Sequence, residues 1–157
     1  MLELHNSEII DRYQIIGKLG QGGMATVYRV RHTKLHSDHA LKILHLPFPA
    51  LRERLLLEGR AQGAIRHQNL LAVTDIVEVK GCPALVMDFV RGPSLRAVLD
   101  THQLSLQEAS FLLRGIMVGV RAAHNKGYIH RDLKPENILL SIQENTLIPK
   151  VADFGIA

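Results

Sequence analysis

The chain has 157 residues, of which 46% are hydrophobic and 22% charged. That is the make-up of a folded globular protein with room for one domain or two small lobes, so disorder is not the default. The net charge of +4 is dispersed, with no Lys/Arg run and few aromatics among the basic residues, which excludes a nucleic-acid tail. Cys82 is the single cysteine, so no internal disulfide forms and a reducing cytoplasm is expected. The acidic start (Glu3, Glu8, Asp11) is not a signal peptide. The most apolar window, Phe111 to Val120, contains Arg114 and is too short to span a bilayer.

In chain order, residues 1–12 read as a lead. Tyr13 to Leu19 is a β-rich run that ends in Gly20-Gln21-Gly22-Gly23, and Thr26 to Arg31 alternates after it, which places the glycines at a hairpin tip. A polar turn around His36-Ser37-Asp38 leads to a third strand, Ala40 to Leu44, broken by Pro47 and Pro49. Leu51, Leu55, Ala61 and Ile65 then share a helical face, although Gly59 and Gly63 each weaken that helix by ~1 kcal/mol relative to Ala. Leu70 to Val79 and Ala84 to Val90 read as two further strands joined by a turn, Lys80-Gly81-Cys82-Pro83, in which Cys82 is an ordinary turn residue.

Arg91-Gly92-Pro93 punctuates the chain and marks the expected boundary between a unit over 13–91 and a second over 92–157. Beyond it the pattern turns helical. Leu95 to Leu99 is short, and Leu106 to Asn125 is long, with Leu112, Ile116, Val120 and Ala123 on one face and Gly127 just past its end. The run His130-Arg131-Asp132-Leu133-Lys134-Pro135-Glu136-Asn137 is a loop, followed by short strands at Ile138 to Leu140 and Ile148 to Ala152. The fold class expected is α+β: a five-stranded antiparallel lobe with one helix, then an incomplete, mainly helical lobe.

Three features carry chemistry. Glycines at a strand–strand tip let backbone amides approach phosphate oxygens, although a plain hairpin turn explains such a tip equally well. The pattern is Gly20-x-Gly22-x-x-Ala25-x-Val27, followed by a strand and not by the helix of a dinucleotide fold. Lys42 lies mid-strand; alone it reads as a solvent-face lysine, but Glu58 on the next helix is a partner that would hold it extended towards phosphates. Asp132 can orient a hydroxyl and accept its proton, and Lys134 can neutralise charge on a moving phosphoryl group. Asn137 and, sixteen residues on, Asp153 offer oxygen donors to a divalent cation.

With these motifs in order, the chain resembles the N-terminal part of a protein Ser/Thr kinase from Tyr13 to Ala157, of the bacterial eukaryotic-like type. The resemblance implies that Gly20, Gly22 and Gly23 cover the ATP phosphates, and that Lys42 contacts the α- and β-phosphates and pairs with Glu58. It implies that Leu19, Val27, Ala40 and Leu139 sandwich the adenine, with Met87 at the gatekeeper position and the backbone of Asp88 and Val90 at the adenine edge. Asp132 becomes the catalytic base, Asn137 and Asp153 hold Mg2+ (or Mn2+), and His130 and Phe154 join a hydrophobic column between helix and metal loop.

Two departures stand out. Gln62 occupies the column position four residues after Glu58, where the family is apolar, and the chain stops just after Asp153-Phe154-Gly155. The expected function is ATP- and Mg2+-dependent phosphoryl transfer to Ser/Thr of a protein substrate, in the cytoplasm, with no nucleic acid and no membrane segment in this chain. A membrane anchor beyond residue 157 in a longer protein stays open. The alternative is a catalytically incompetent fragment that binds nucleotide weakly or serves as an interaction module. An uncovered face on the Leu106 to Asn125 helix would then favour self-association.

Overall fold

The computed structural model describes residues 4–23, 25–45, 53, 56, 59–60, 62–143 and 145–153. It divides into two compact units, residues 1–63 with 73–89, and residues 64–72 with 90–157.

The first unit is an antiparallel sheet in the order β1-β2-β3-β4-β6-β5. Its strands are β1 (Ile9–Ile10), β2 (Tyr13–Gln21), β3 (Ala25–His32), β4 (Asp38–Leu44), β5 (Val73–Val79) and β6 (Cys82–Asp88). Alternation sends Tyr28, Val30, Leu41, Ile43, Ala84 and Val86 to one face, where they are buried together with Tyr13, Ile15, Val77, Val79 and Leu4. The lead is therefore structural. Leu4 donates its N–H to Tyr28 Oη at 3.2 Å, and β1 pairs with the start of β2. Two apolar residues between turns are too few for a period, which is why β1 is not visible in the sequence.

The β5–β6 connection is tighter than expected. Lys80 (φ 49°) and Gly81 (φ 82°) form a two-residue turn, so Cys82 and Pro83 belong to the strand, opposite Val79 and Glu78. Both central residues need positive φ in such a turn, and glycine takes the second place without steric cost. The expected helix before β5 is represented by helical Glu53, Leu56, Gly59, Arg60, Gln62 and Gly63. Leu51, Leu55 and Ala61 lie outside the described residues. Ile65 does not continue that helix; it is buried in the second unit's core.

The second unit centres on α2 (Leu106–His124), preceded by α1 (Leu95–Leu99) and followed by a 3-10 turn (Pro135–Asn137) and a hairpin, β7 (Ile138–Gln143) and β8 (Thr146–Val151). A capping box starts α2: Ser105 Oγ accepts from Glu108 N–H at 3.2 Å, and Glu108 Oε2 accepts from Ser105 N–H at 2.8 Å. Its end is closed at Gly127 (φ 83°), with Tyr128 N–H bonded to the Ala123 carbonyl at 3.0 Å. Leu112, Ile116, Gly119 and Ala123 are the buried residues of α2, while Val120 is only partly buried.

Leu70 leaves the expected strand and makes a parallel bridge to Val151. Leu71 N–H donates to the Val151 carbonyl, Val151 N–H to the Asn69 carbonyl, and Asn69 Nδ2 to the Pro149 carbonyl, each at 2.9 Å. Backbone pairing with β8 thus outweighs the β pattern that the segment shares with Val73–Val79.

Candidate active site

In the first unit the sheet face opposite the core collects most of the nucleotide candidates. Val27, Lys42 and Leu85 are cross-strand neighbours, as are Ala40 and Met87, so Val27, Ala40, Lys42 and Met87 share that face. Ala40 and Met87 are buried and Lys42 is half-buried. Gly59 brings the helical segment onto this face: a Cβ there would stand 2.8 Å from Leu85 Cδ2, and Leu85 is the cross-strand partner of Lys42. Glu58, the expected partner of Lys42, lies outside the described residues.

The glycine tip is held by Gly22 N–H to the Ala25 carbonyl at 2.8 Å, with Gly20 opposite Val27. A Cβ at Gly20 or Gly23 meets no heavy atom within 4 Å, and at Gly22 only the Ala25 oxygen at 3.9 Å. The hairpin's own packing therefore does not require glycine at these positions. Leu19 falls at a register shift between Lys18 and Gly20 and is 50% exposed; a bulge re-aims the side chain it displaces.

In the second unit the loop after α2 brings three candidates together. Lys134 Nζ lies 2.7 Å from Asp132 Oδ2. Asn137, 7% exposed, donates its Nδ2 to the Asp132 carbonyl at 2.9 Å and to Asp132 Oδ2 at 3.2 Å. An amide turned this way directs its Oδ1 elsewhere. The hydrogen bond from Lys134 holds the Asp132 carboxyl below the usual carboxylate range, with a smaller contribution from Asn137. Lys134 is raised in turn, first by Asp132 and to a lesser degree by Glu136 and Asp153. Leu139 is half-buried on β7, and Val90 half-buried at the start of this unit's second segment.

His130 anchors the loop. Its Nδ1 accepts from Asp132 N–H at 3.3 Å, which leaves Nε2 to carry the proton donated to the Ala152 carbonyl at 2.7 Å. Ala152 N–H is bonded to the Asn137 carbonyl at 2.8 Å, so both edges of Ala152 tie the loop to the residue before Asp153. Arg131 (φ 64°) and Asp153 (φ 58°) both occupy the left-handed region, which costs a non-glycine residue ~1 kcal/mol. Phe154 lies outside the described residues.

Among the described residues no three His, Cys, Asp or Glu side chains stand close enough to hold a metal ion. Asn137 and Asp153 are hard oxygen donors, which suits Mg2+, an ion that fills its shell with water and substrate phosphate. Two supports escaped the sequence reading. Arg96 Nε donates to Glu136 Oε1 at 3.0 Å, and Gly92 stands where a Cβ would clash with the Leu140 carbonyl. Both are tertiary contacts with no local signal.

The protein kinase domain family matches residues 13–157. The chain is 37% identical over 150 residues to the serine/threonine-protein kinase Pkn1 of Myxococcus xanthus, covering 92% of this chain and 21% of that protein. It is 36% identical over 157 residues to the probable serine/threonine-protein kinase PknB of Corynebacterium glutamicum, covering 95% and 24%. The chain thus spans about a fifth to a quarter of these curated relatives. Among solved structures, the PknI kinase domain of Mycobacterium tuberculosis superimposes with a TM-score of 0.81 at 28% identity, covering 99% of this chain and 64% of that one. Rad53 1–466 in complex with AMP-PNP gives 0.82 at 26% identity, covering 93% and 39%. Sequence match, fold and ordered motifs agree, and the chain belongs to the protein kinase family.

Proposed function

We propose that this chain carries the nucleotide-binding unit and catalytic loop of an ATP- and Mg2+-dependent protein Ser/Thr kinase. The observation that carries this reading is the joining of Asp132, Lys134 and Asn137 on one loop, with Lys134 Nζ 2.7 Å from Asp132 Oδ2. We assign the first unit, residues 1–63 with 73–89, to the small lobe, and the second, residues 64–72 with 90–157, to part of the large one, in place of the single boundary expected at 91/92. The AMP-PNP held by Rad53 supports ATP as the nucleotide.

In this reading the backbone of Gly20, Gly22 and Gly23 covers the phosphates, and Lys42, paired with Glu58, neutralises the α- and β-phosphates. Val27, Ala40, Leu19 and Leu139 enclose the adenine beside Met87, and the main chain at Asp88 and Val90 bonds its edge. The Ser/Thr hydroxyl oxygen of a protein substrate forms a bond to the γ-phosphorus while the bond to the β–γ bridging oxygen breaks and ADP leaves. Asp132 orients that hydroxyl and takes its proton.

A carboxylate held below its usual range is a weak base, which suits a loose transition state that needs orientation more than early proton removal. Lys134 offsets charge on the phosphoryl group in transit. Asn137 and Asp153 would hold Mg2+, for which Mn2+ can substitute; when bound, the ion neutralises charge on the phosphates. The single cysteine fits a cytoplasmic setting, and among the described residues no helix is long and apolar enough to cross a membrane.

The test is transfer from γ-labelled ATP to a generic basic protein. Asp132→Asn is expected to lower the rate by about 10²–10⁴, the usual contribution of a positioned acid–base group, with ATP binding retained. Unchanged transfer in that variant would sink the assignment. The exposure of Leu113 (56%) and Met117 (63%) on α2 favours a second reading, an interaction module that binds nucleotide without turnover. Nucleotide binding with no transfer in the unmodified chain would select it.

A further inference from the structure

The main chain assigned to the adenine edge begins where the sheet stops holding it. Pairing of β4 with β6 runs as far as His39–Asp88, and Phe89 is the first residue beyond the strand. Phe89 is pinned by a side chain instead. Arg29 on β3 is the cross-strand partner of Ala40, so it leaves the sheet on the face that carries Val27, Ala40 and Met87. Its guanidinium carbon lies over the Phe89 ring, 4.8 Å from the centroid.

Asp38 holds that guanidinium from one end. Arg29 Nη2 donates to Asp38 Oδ2 at 2.6 Å, and Arg31 Nε donates to Asp38 Oδ1 at 3.0 Å. The Asp38 side chain is only 7% exposed, and the two arginines, Arg31 first, hold its carboxyl down to about 2. The carboxylate is therefore ionised at every physiological pH. Arg29 Nε is buried with no hydrogen-bond partner among the described residues. An arginine placed for hydrogen bonding alone would satisfy that donor; here the position suits the ring.

We propose that Arg29 is a positioning residue for nucleotide binding: clamped by Asp38 and stacked on Phe89, it presents the main chain around Asp88 to the purine edge. This rests on the nucleotide reading above. It makes Arg29 a determinant of adenine affinity that no phosphate need be present to reveal, in contrast to Lys42.

The experiment is calorimetric titration of the full chain with adenosine and with Mg–ATP. Arg29→Met keeps the aliphatic stem and removes the charge. It is expected to weaken both ligands by the same factor, about fivefold, as the loss of one cation–aromatic contact implies. Phe89→Leu is expected to give the same loss, and the double variant no more than either single, because both remove one interaction. Arg29→Lys restores part of the affinity.

An unmodified chain that binds while both single variants bind equally well overturns the inference and leaves the nucleotide reading intact. A loss confined to ATP overturns it too, since that marks a phosphate contact. An unmodified chain that binds neither ligand overturns the nucleotide reading and this inference with it. If Arg29→Met lowers the melting temperature, the outcome rests on Phe89→Leu, whose equal affinity would count against the clamp.

Discussion

The loop after α2 concentrates its electrostatics in one pair. Lys134 and Asp132 are each about half exposed, at 47% and 52%, so water and salt screen their attraction. The pair nevertheless lowers the Asp132 carboxyl, chiefly through the hydrogen bond from Lys134. A depressed carboxylate favours the paired, folded state above its ordinary value near 3.9, and that contribution disappears as pH falls through the depressed one. Lys134→Met is expected to raise Asp132 back towards the ordinary carboxylate range, since its chief lowering partner is removed. Carbon-detected NMR titration of the Asp132 side chain reads this directly, and a titration midpoint that does not rise would show that Lys134 is not the cause. Raising the salt concentration should shift the unmodified chain in the same direction. With Asp132 as the proposed base, the acid limb of the activity profile should therefore lie below the ordinary carboxylate range.

At the scale of elements, α2 is held by a close approach that its apolar period does not announce. A Cβ at Gly119 would lie 2.7 Å from the Asn69 carbonyl oxygen and 3.0 Å from Asn69 Cβ. Gly119→Ala gains up to ~1 kcal/mol of helix propensity but overpacks against backbone, which costs about 1–3 kcal/mol. Net destabilisation of roughly 1–2 kcal/mol is expected in urea melts, and a stabilised variant would refute the contact. The same contact shows what a single sequence carries and what it does not. β2 to β6 and both helices were legible because period and turn residues are local properties. Leu70 and Ile65 were misplaced because their neighbours on β8 and α2 lie far along the chain. At the site, the meeting of Asp132, Lys134 and Asn137 was legible because the three lie in one short ordered run. Arg29, Asp38 and Phe89 were not, since their meeting depends on strand register and on a ring just past a strand end.

For the molecule as a whole, Leu106, Leu113 and Met117 fall on one side of α2 and are 88%, 56% and 63% exposed. We propose that this stripe favours self-association of the chain. Each such side chain contributes about 1.5–3 kcal/mol when fully buried. Leu113→Lys with Met117→Glu should therefore weaken association at least tenfold, on the order of the burial lost. Sedimentation equilibrium reads the change, and an unaltered dissociation constant would place the contact elsewhere. A different consequence follows from the threading of residues 64–72 into the second unit. Asn69 finds the Pro149 carbonyl 80 residues later. At a synthesis rate of roughly 5–20 residues per second, that interval lasts about 4–16 s. Every strand of the first unit has left the ribosome by then, while Ile65 and Leu70 wait for β8. The chain thus carries a built-in delay during which the two units are at different stages of completion, with Ile65 and Leu70 lacking their final partners until β8 is made.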